Sequence, residues 1–200
     1  EPSPAARASA LFSFQELRVL IWIDPPCPPT NPFLFLDRDG VLNVDRPDYI
    51  RSWQDFHFYE DALDALRILE DRRVNVLLVS NQSALNRGYI SHAPFWEVHR
   101  LMIREIRGAG GRIGAAFYCP HRPEERCRCR KPEPGMIEEA AALFDIDLGR
   151  ATLIGDRATD LLAAVRAGCR GALVERPGAP EAPGETLAAP VDAARFPDLR

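Results

Sequence analysis

No stretch of this 200-residue chain is apolar for long enough to span a bilayer. The longest aliphatic-aromatic run near its start is Val19–Ile23, whereas a spanning helix needs about 20 residues. An excess of basic charge is missing too. Twenty-five Lys and Arg stand against 29 Asp and Glu, a formal net charge of −4, which makes no case for broad affinity to nucleic acid or to an anionic membrane. No internal repeat is visible. Cysteine is scarce and odd in number, five in all, and three of the five crowd into the stretch from Cys119 to Cys129. That distribution suits a metal site better than a disulfide framework.

What is present is an ordinary soluble composition, 46% hydrophobic and 27% charged, enough for one domain with a sizeable core. Eighteen prolines, about twice the usual share, collect towards the two ends. Asp24 to Pro32 (DPPCPPTNP) reads as a linker, and Glu175 to Pro190 as a surface loop or tail. Residues 1–31 are therefore expected to form an extension or linker, the Leu11–Asp24 part being either an extra strand or the end of a preceding, fused domain. Residues 32–200 form the main domain, with 175–200 as a Pro/Ala-rich tail. The chain begins at Glu1 and stops at a point where a further helix is expected, so the sequence reads as a possible fragment.

Buried strands alternate with amphipathic helices. Phe33–Leu36, Val74–Ser80, Ile113–Cys119, Ala151–Asp156 and Gly171–Glu175 are apolar and partly β-branched, as strands buried on both faces are. Between them, Glu60–Arg73, Ala93–Gly111, Gly135–Asp145 and Ala158–Gly168 carry helical patterning, some with glycine stops. This predicts an α/β fold, a Rossmann-like parallel sheet with helices on both faces. The ligand crevice of such a sheet lies at the carboxyl ends of its strands.

The chemistry-bearing residues follow those strands. Asp37 and Asp39 end the first one two positions apart, so their side chains leave on the same side. Like charges held that close need a cation, a shared proton or a basic neighbour. Ser80, Asn81 and Gln82 follow the second strand, and Gly155, Asp156 and Asp160 a later one. Arg130 and Lys131 lie between. A lone Ser-Asn or Gly-Asp after a strand is usually a cap or turn, but the set in this order supplies carboxylates for a metal, a phosphate clamp and a nucleophile. Cys119, His121, Cys127 and Cys129, four ligands within eleven residues, suit a closed tetrahedral Zn²⁺ site. The competing readings are a disulfide or reduced thiols. Arg126, Arg128 and Arg130 are expected to lower the thiolate pKa values, and the ion to stiffen the loop that carries Arg130 and Lys131. Cys27 and Cys169 look unrelated to it; His57, His92 and His99 read as exposed or packing residues.

The segments FLDRDGVLN, SNQSALNRG, CPH…CRCRKP and GDRATD resemble the haloacid dehalogenase superfamily, in its heptose-1,7-bisphosphate phosphatase and histidinol-phosphatase branch, from about Phe33 to Val174. The resemblance implies a capless fold with a zinc-binding loop and a cytoplasmic, Mg²⁺-dependent phosphatase. It implies Asp37 as the nucleophile that becomes an aspartyl-phosphate and Asp39 as the acid and base. Ser80 and Lys131 would grip the phosphoryl oxygens. Mg²⁺ would sit between Asp37, the Asp39 carbonyl and Asp156, and Asp160 would steady that motif. Asp45, Asn81, Gln82, Ser83, Arg130 and Arg157 would touch the substrate.

With no room for a cap domain between Asp39 and Ser80, specificity would come from residues 45–53, from Asn86-Arg87 and from the zinc loop. Arg87, Arg130 and Arg157 would suit a second phosphate, which favours a sugar bisphosphate, D-glycero-D-manno-heptose 1,7-bisphosphate, in nucleotide-heptose synthesis for surface polysaccharide. Asn86 departs from the family, where a small residue is usual. Histidinol phosphate is the alternative substrate. A non-catalytic, zinc-stiffened binding module is the alternative class, disfavoured because binding alone does not need two clashing acids. A nucleic-acid 3′-phosphatase would want a basic, aromatic groove.

Overall fold

The computed structural model describes residues 19–176, 194–196 and 198–199. Among these residues seven strands form one sheet in the order β1-β4-β3-β2-β5-β6-β7. The strands are β1 (Leu20–Ile23), β2 (Phe33–Leu36), β3 (Asn75–Asn81), β4 (Ala115–Cys119), β5 (Thr152–Gly155), β6 (Arg170–Val174) and β7 (Ala194–Phe196). Neighbouring strands run parallel, except that β1 lies antiparallel on β4 at one edge, Leu20 opposite Tyr118 and Ile23 opposite Ala115. The sheet is thus mixed rather than wholly parallel. The physical reason is β1: it precedes the first crossover unit and reaches the edge without a helix, so an antiparallel course is open to it. Of the expected Glu175–Pro190 tail, residues 177–190 lie outside the described residues, as does most of the Leu11–Asp24 stretch.

Successive residues of the central strands go to opposite cores, because side chains alternate. Leu36 and Leu78 join Leu66, Met102 and Ile106 on one face. Phe35 and Leu77 join Met136, Ala140 and Ala164 on the other. Helices α1 (Ala62–Asp71) and α2 (His92–Gly108) cover the first face, α3 (Gly135–Phe144) and α4 (Ala158–Ala167) the second. In α2 the buried residues Phe95, Val98, His99, Met102, Ile103 and Ile106 form the stripe that a 3.6-residue period requires. α4 stops at Gly168, whose φ of +78° is the left-handed conformation that ends helices.

From β2 the chain crosses outward to β3 and β4, then returns to place β5 on the other side of β2. This reversal opens a crevice beyond the carboxyl ends of β2, β3 and β5.

Candidate active site

Each of those three strands ends in or leads into a polar residue, Asp37 after β2, Asn81 at the end of β3 and Asp156 after β5. Asp37 follows β2, its N–H donating to the Ile154 carbonyl of β5 at 2.9 Å. Three residues on, Gly40 takes φ +82°, and a Cβ there would overlap the Asp156 carboxylate. Only glycine lets the acid after β5 lie against the turn after β2. A Cβ at Gly155 would likewise overlap Asp160.

Lys131 is the only lysine among the 200 residues. It is buried, with Nζ 2.9 Å from Asp37 Oδ2 and 2.5 Å from Asp160 Oδ1. Burial alone would lower its pKa, but the Asp160 and Asp37 charges outweigh that and raise it, so the ammonium stays charged. Asp160 also accepts the Arg157 N–H at 3.0 Å with its other oxygen, capping α4. It steadies both the lysine and the helix start.

The acids at this point resist ionisation. Burial, and then the Asp37 and Asp160 charges, push Asp156 up to about 8. Burial pushes Asp37 up to about 6, with Lys131 opposing and Asp160 and Asp39 adding to the rise. Carboxylate oxygens of Asp37, Asp156 and Asp160 lie within 4.8 Å of one another, and the buried Asp156 Oδ1 has no hydrogen-bond partner. An all-oxygen, anionic cluster with an unsatisfied lone pair is the donor set a hard divalent cation takes.

Asp39 is held differently. Its Oδ1 accepts from Arg38 Nε (3.1 Å), Arg38 Nη2 (3.0 Å) and Asn43 Nδ2 (2.9 Å), and its Oδ2 from Arg38 Nη2 (2.9 Å) and Gln82 Nε2 (2.7 Å). Burial works to raise this carboxyl, but the Arg38 charge and the Asn43 and Gln82 amides hold it below the ordinary carboxylate range. The surroundings of the two neighbouring acids thus hold Asp37 above and Asp39 below the ordinary carboxylate range.

The crevice has a volume of about 530 Å³ and is lined by Asp37, Asp39, Asp45, Ser80, Asn81, Gln82, Ser83, Arg130, Lys131 and Arg157, all expected from the sequence. Arg157 Nη2 reaches Asp45 Oδ2 at 2.6 Å. Arg87 is not among the lining residues. It leans on Glu124 instead, at 3.9 Å, because the loop after β3 turns towards the zinc loop, where Asn86 donates to both Glu125 oxygens (3.0 and 3.2 Å). Arg46, within the expected 45–53 loop but not singled out there, takes a place on the cavity wall and pairs with Asp48 at 3.0 Å. Arg38 was also missed, although its position between two acids in sequence was a signal.

Beside the crevice, Cys119, His121, Cys127 and Cys129 converge. Cys129 Sγ is 3.3 Å from Cys119 Sγ, 3.2 Å from His121 Nδ1 and 3.4 Å from Cys127 Sγ. Cys119 Sγ is 3.4 Å from His121 Nδ1 and 3.6 Å from Cys127 Sγ. These are near the edges of a tetrahedron built on metal–ligand bonds of about 2.0–2.3 Å, and all five cysteines of the chain are free thiols. Arginine does not lower the Cys119 and Cys127 thiols as expected. The Cys129 sulfur and burial push Cys119 up, burial and the Cys119 charge push Cys127 up, and the guanidinium groups of Arg128 and Arg130 are engaged elsewhere. Arg128 faces Glu138 at 3.7 Å, and Arg130 Nη1 donates to the His121 carbonyl at 3.2 Å. Three thiolates this close need a cation among them.

Comparison with known proteins places this geometry. Residues 128–195 match the HAD-hydrolase-like family model. A D-glycero-beta-D-manno-heptose-1,7-bisphosphate 7-phosphatase of Neisseria meningitidis serogroup A is 38% identical over 141 residues, 70% of this chain and 75% of that protein. The protein of that name from Vibrio cholerae is 37% identical over 166 residues, 79% of this chain and 89% of its own. The chain belongs to this HAD-like heptose-bisphosphate phosphatase family. The crystal structure of a D,D-heptose 1,7-bisphosphate phosphatase from B. bronchiseptica, complexed with magnesium and phosphate, superposes with a TM-score of 0.74 at 33% identity, covering 84% of this chain and 93% of that one. As a member of the HAD-like family, the chain carries its acids on the turn after β2, and the segment between Asp39 and β3 holds only a loop, a short 3-10 helix at Trp53–Asp55 and α1. Among the described residues no helix is long and apolar enough to cross a membrane.

Proposed function

We propose that the protein hydrolyses a sugar bisphosphate, D-glycero-D-manno-heptose 1,7-bisphosphate at its 7-phosphate, through an aspartyl-phosphate on Asp37. The observation that carries this reading is the contact of Asp37 with Lys131 at 2.9 Å on the floor of a cavity whose outer wall holds Arg46, Arg130 and Arg157. One end suits a phosphoryl group under attack, the other a second phosphate.

In the first step an oxygen of Asp37 attacks phosphorus in line, and the bond to the sugar oxygen breaks. Asp39, protonated, gives its proton to the leaving oxygen. Lys131 and the Ser80 hydroxyl hold the equatorial oxygens as charge moves onto them. In the second step Asp39 takes a proton from water, the hydroxide attacks the phosphorus of the aspartyl-phosphate, and inorganic phosphate leaves with the Asp37 carboxylate restored. Asp37, Asp156 and the Asp39 carbonyl would hold Mg²⁺, which supplies charge neutralisation for the phosphoryl group. Cys119, His121, Cys127 and Cys129 would hold a structural Zn²⁺, whose charge the three sulfurs require.

Asp45, Asn81, Gln82 and Ser83 stand with Arg130 and Arg157 in the substrate region. All of the chemistry falls between Asp37 and Asp160, which supports residues 32–200 as the catalytic unit and 1–31 as an extension that lends β1 to the sheet. A reducing, cytoplasmic setting suits five free thiols, and the resemblance suits heptose supply for surface polysaccharide.

The test is phosphate release with Mg²⁺ from the heptose bisphosphate and from histidinol phosphate, with Asp37→Asn as control. Turnover of the bisphosphate alone, lost in the variant, is the expected result. A preference for histidinol phosphate would keep the chemistry and move the substrate. No turnover of either would return the site to a binding role.

A further inference from the structure

We propose that Asn81 and Gln82 act as positioning residues for Lys131 and for the Asp39–Ser80 pair, and are not ligands of the sugar. The proposal rests on the phosphatase reading above and narrows it, since both residues line the cavity and resemblance alone would give both to the substrate.

Hydrogen-bond capacity carries the inference. A side-chain amide has two N–H donors and one carbonyl oxygen. In Gln82 both donors are used, on Asp39 Oδ2 at 2.7 Å and Ser80 Oγ at 3.0 Å, and the oxygen accepts from Arg38 Nη2 at 3.0 Å. The side chain is buried, so none of these bonds is exchanged with bulk water. Asn81 closes a two-bond ring with the Lys131 main chain, Nδ2 donating to its carbonyl and Oδ1 accepting its N–H, both at 3.0 Å, across 50 residues of sequence. Turning either amide away from these partners and towards substrate would leave a buried partner unsatisfied, at a cost of about 1–3 kcal/mol.

Each residue acts on a separate part of the machinery. Asn81, at the last position of β3, fixes the backbone from which the Lys131 ammonium reaches Asp37. Gln82, one residue beyond, ties the acid-base carboxylate of Asp39 to the Ser80 hydroxyl that faces the phosphoryl group, and Arg38 orients the amide from behind. The end of one central strand thus sets the spacing between the charge clamp and the proton-transfer group.

The two roles give different kinetic signatures with two substrates, the heptose bisphosphate and p-nitrophenyl phosphate. Nitrophenolate leaves without needing a proton, so its release as the aspartyl-phosphate forms, read as a pre-steady-state burst, does not need Asp39 as an acid. Water attack on that intermediate needs Asp39 as a base with either ester, and both esters need Lys131. Gln82→Met and Gln82→Glu should lower kcat for the sugar substrate by about 100-fold, in line with a general acid's contribution. They should lower the rate of the nitrophenolate burst by less than about 5-fold, the step that needs no general acid, with KM nearly constant. Asn81→Ala should lower kcat/KM for both esters alike. Thermal midpoint and bound zinc, measured on every variant, separate these effects from misfolding, and Gln82→Glu keeps the size of the side chain and its acceptor for Arg38. A rise in KM for the sugar bisphosphate with kcat intact would overturn the proposal and restore a substrate-binding role. If the parent chain releases phosphate from neither ester, the phosphatase reading falls and this inference with it. An active parent with variants changed only in KM sinks the inference alone.

Discussion

The ammonium of Lys131 lies 2.9 Å from Asp37 and 2.5 Å from Asp160, with 2% of the lysine side chain exposed. One buried cation serves two acids, one proposed to attack phosphorus and one that caps α4. Removing it strands both carboxylates in a low-dielectric site, where breaking a pair costs about 3–5 kcal/mol. Lys131→Met is therefore expected to lose that much stability in urea titration and nearly all turnover. Full stability of the variant would show that the two acids simply protonate or hydrate.

Zinc should be both present and structural. Metal analysis of the purified chain is expected to find one equivalent, lost in Cys129→Ser, whose sulfur is fully buried among the other ligands. Because the loop leads directly into Arg130 and Lys131, loss of the ion should lower kcat/KM by roughly 10-fold or more, the scale on which disturbed metal sites act. A metal-free chain with full activity would argue against the loop as a mount for the phosphate clamp.

The outer arginines should matter only to a bisphosphate. Arg157 is partnered by Asp45 at 2.6 Å and Arg46 by Asp48 at 3.0 Å, pairs that a second phosphate would compete for. Arg46→Ala or Arg157→Ala should raise KM for the bisphosphate by about 10-fold, the size of one charge-assisted hydrogen bond or two. Turnover of p-nitrophenyl phosphate should hardly move. Equal losses on both esters would place these arginines at the reacting phosphate.

His99 supplies a pH dependence of stability. It is buried among Trp22, Trp96 and Tyr118, with Nδ1 2.8 Å from the Tyr118 hydroxyl, which agrees with the packing role expected from the sequence. Burial, and then the Arg38 charge, push its pKa down to about 4. The unfolded chain protonates this histidine near its ordinary value of about 6.5, so between those limits the unfolded state binds more protons. Stability should then fall as pH drops from about 6.5 to 4, by up to roughly 3 kcal/mol from this group, and be insensitive to it above pH 7. Urea midpoints across that range should drop less steeply in His99→Gln. Parallel curves for parent and variant would remove His99 as the cause.

Arg176 is expected to stabilise the fold without touching the chemistry. It donates to both oxygens of Asp61 (2.9 and 3.0 Å) and to the Val41 carbonyl (2.7 Å), and stacks 3.9 Å from the Tyr59 ring. Arg176→Ala should cost about 3 kcal/mol in a buried pair, seen as a lowered denaturation midpoint. A change in kcat larger than the change in folded fraction would show that this contact reaches the active site.

Local pattern carried much of this protein. The apolar run Phe33–Leu36, the stripe of α2 and the glycine after α4 are short-range signals of period and backbone freedom, and the structure bears out the elements they imply. The acids after the strands and the cysteine spacing were legible for the same reason: chemistry of this kind needs particular residue types at particular offsets. Contacts between residues far apart in sequence were not legible. That β1 runs antiparallel on β4 depends on which edge was free. That Arg87 turns to Glu124 while Arg46 takes the cavity wall depends on how two loops pack. Amide partners are decided in the same way, because Asn81 and Gln82 have the same donors and acceptors whatever they face. Sequence alone named most of the groups that gather at the crevice, though not Arg38; only the tertiary structure decided which of them hold one another in place, since a hydrogen bond is specified by position and direction, and those exist only once the chain has folded.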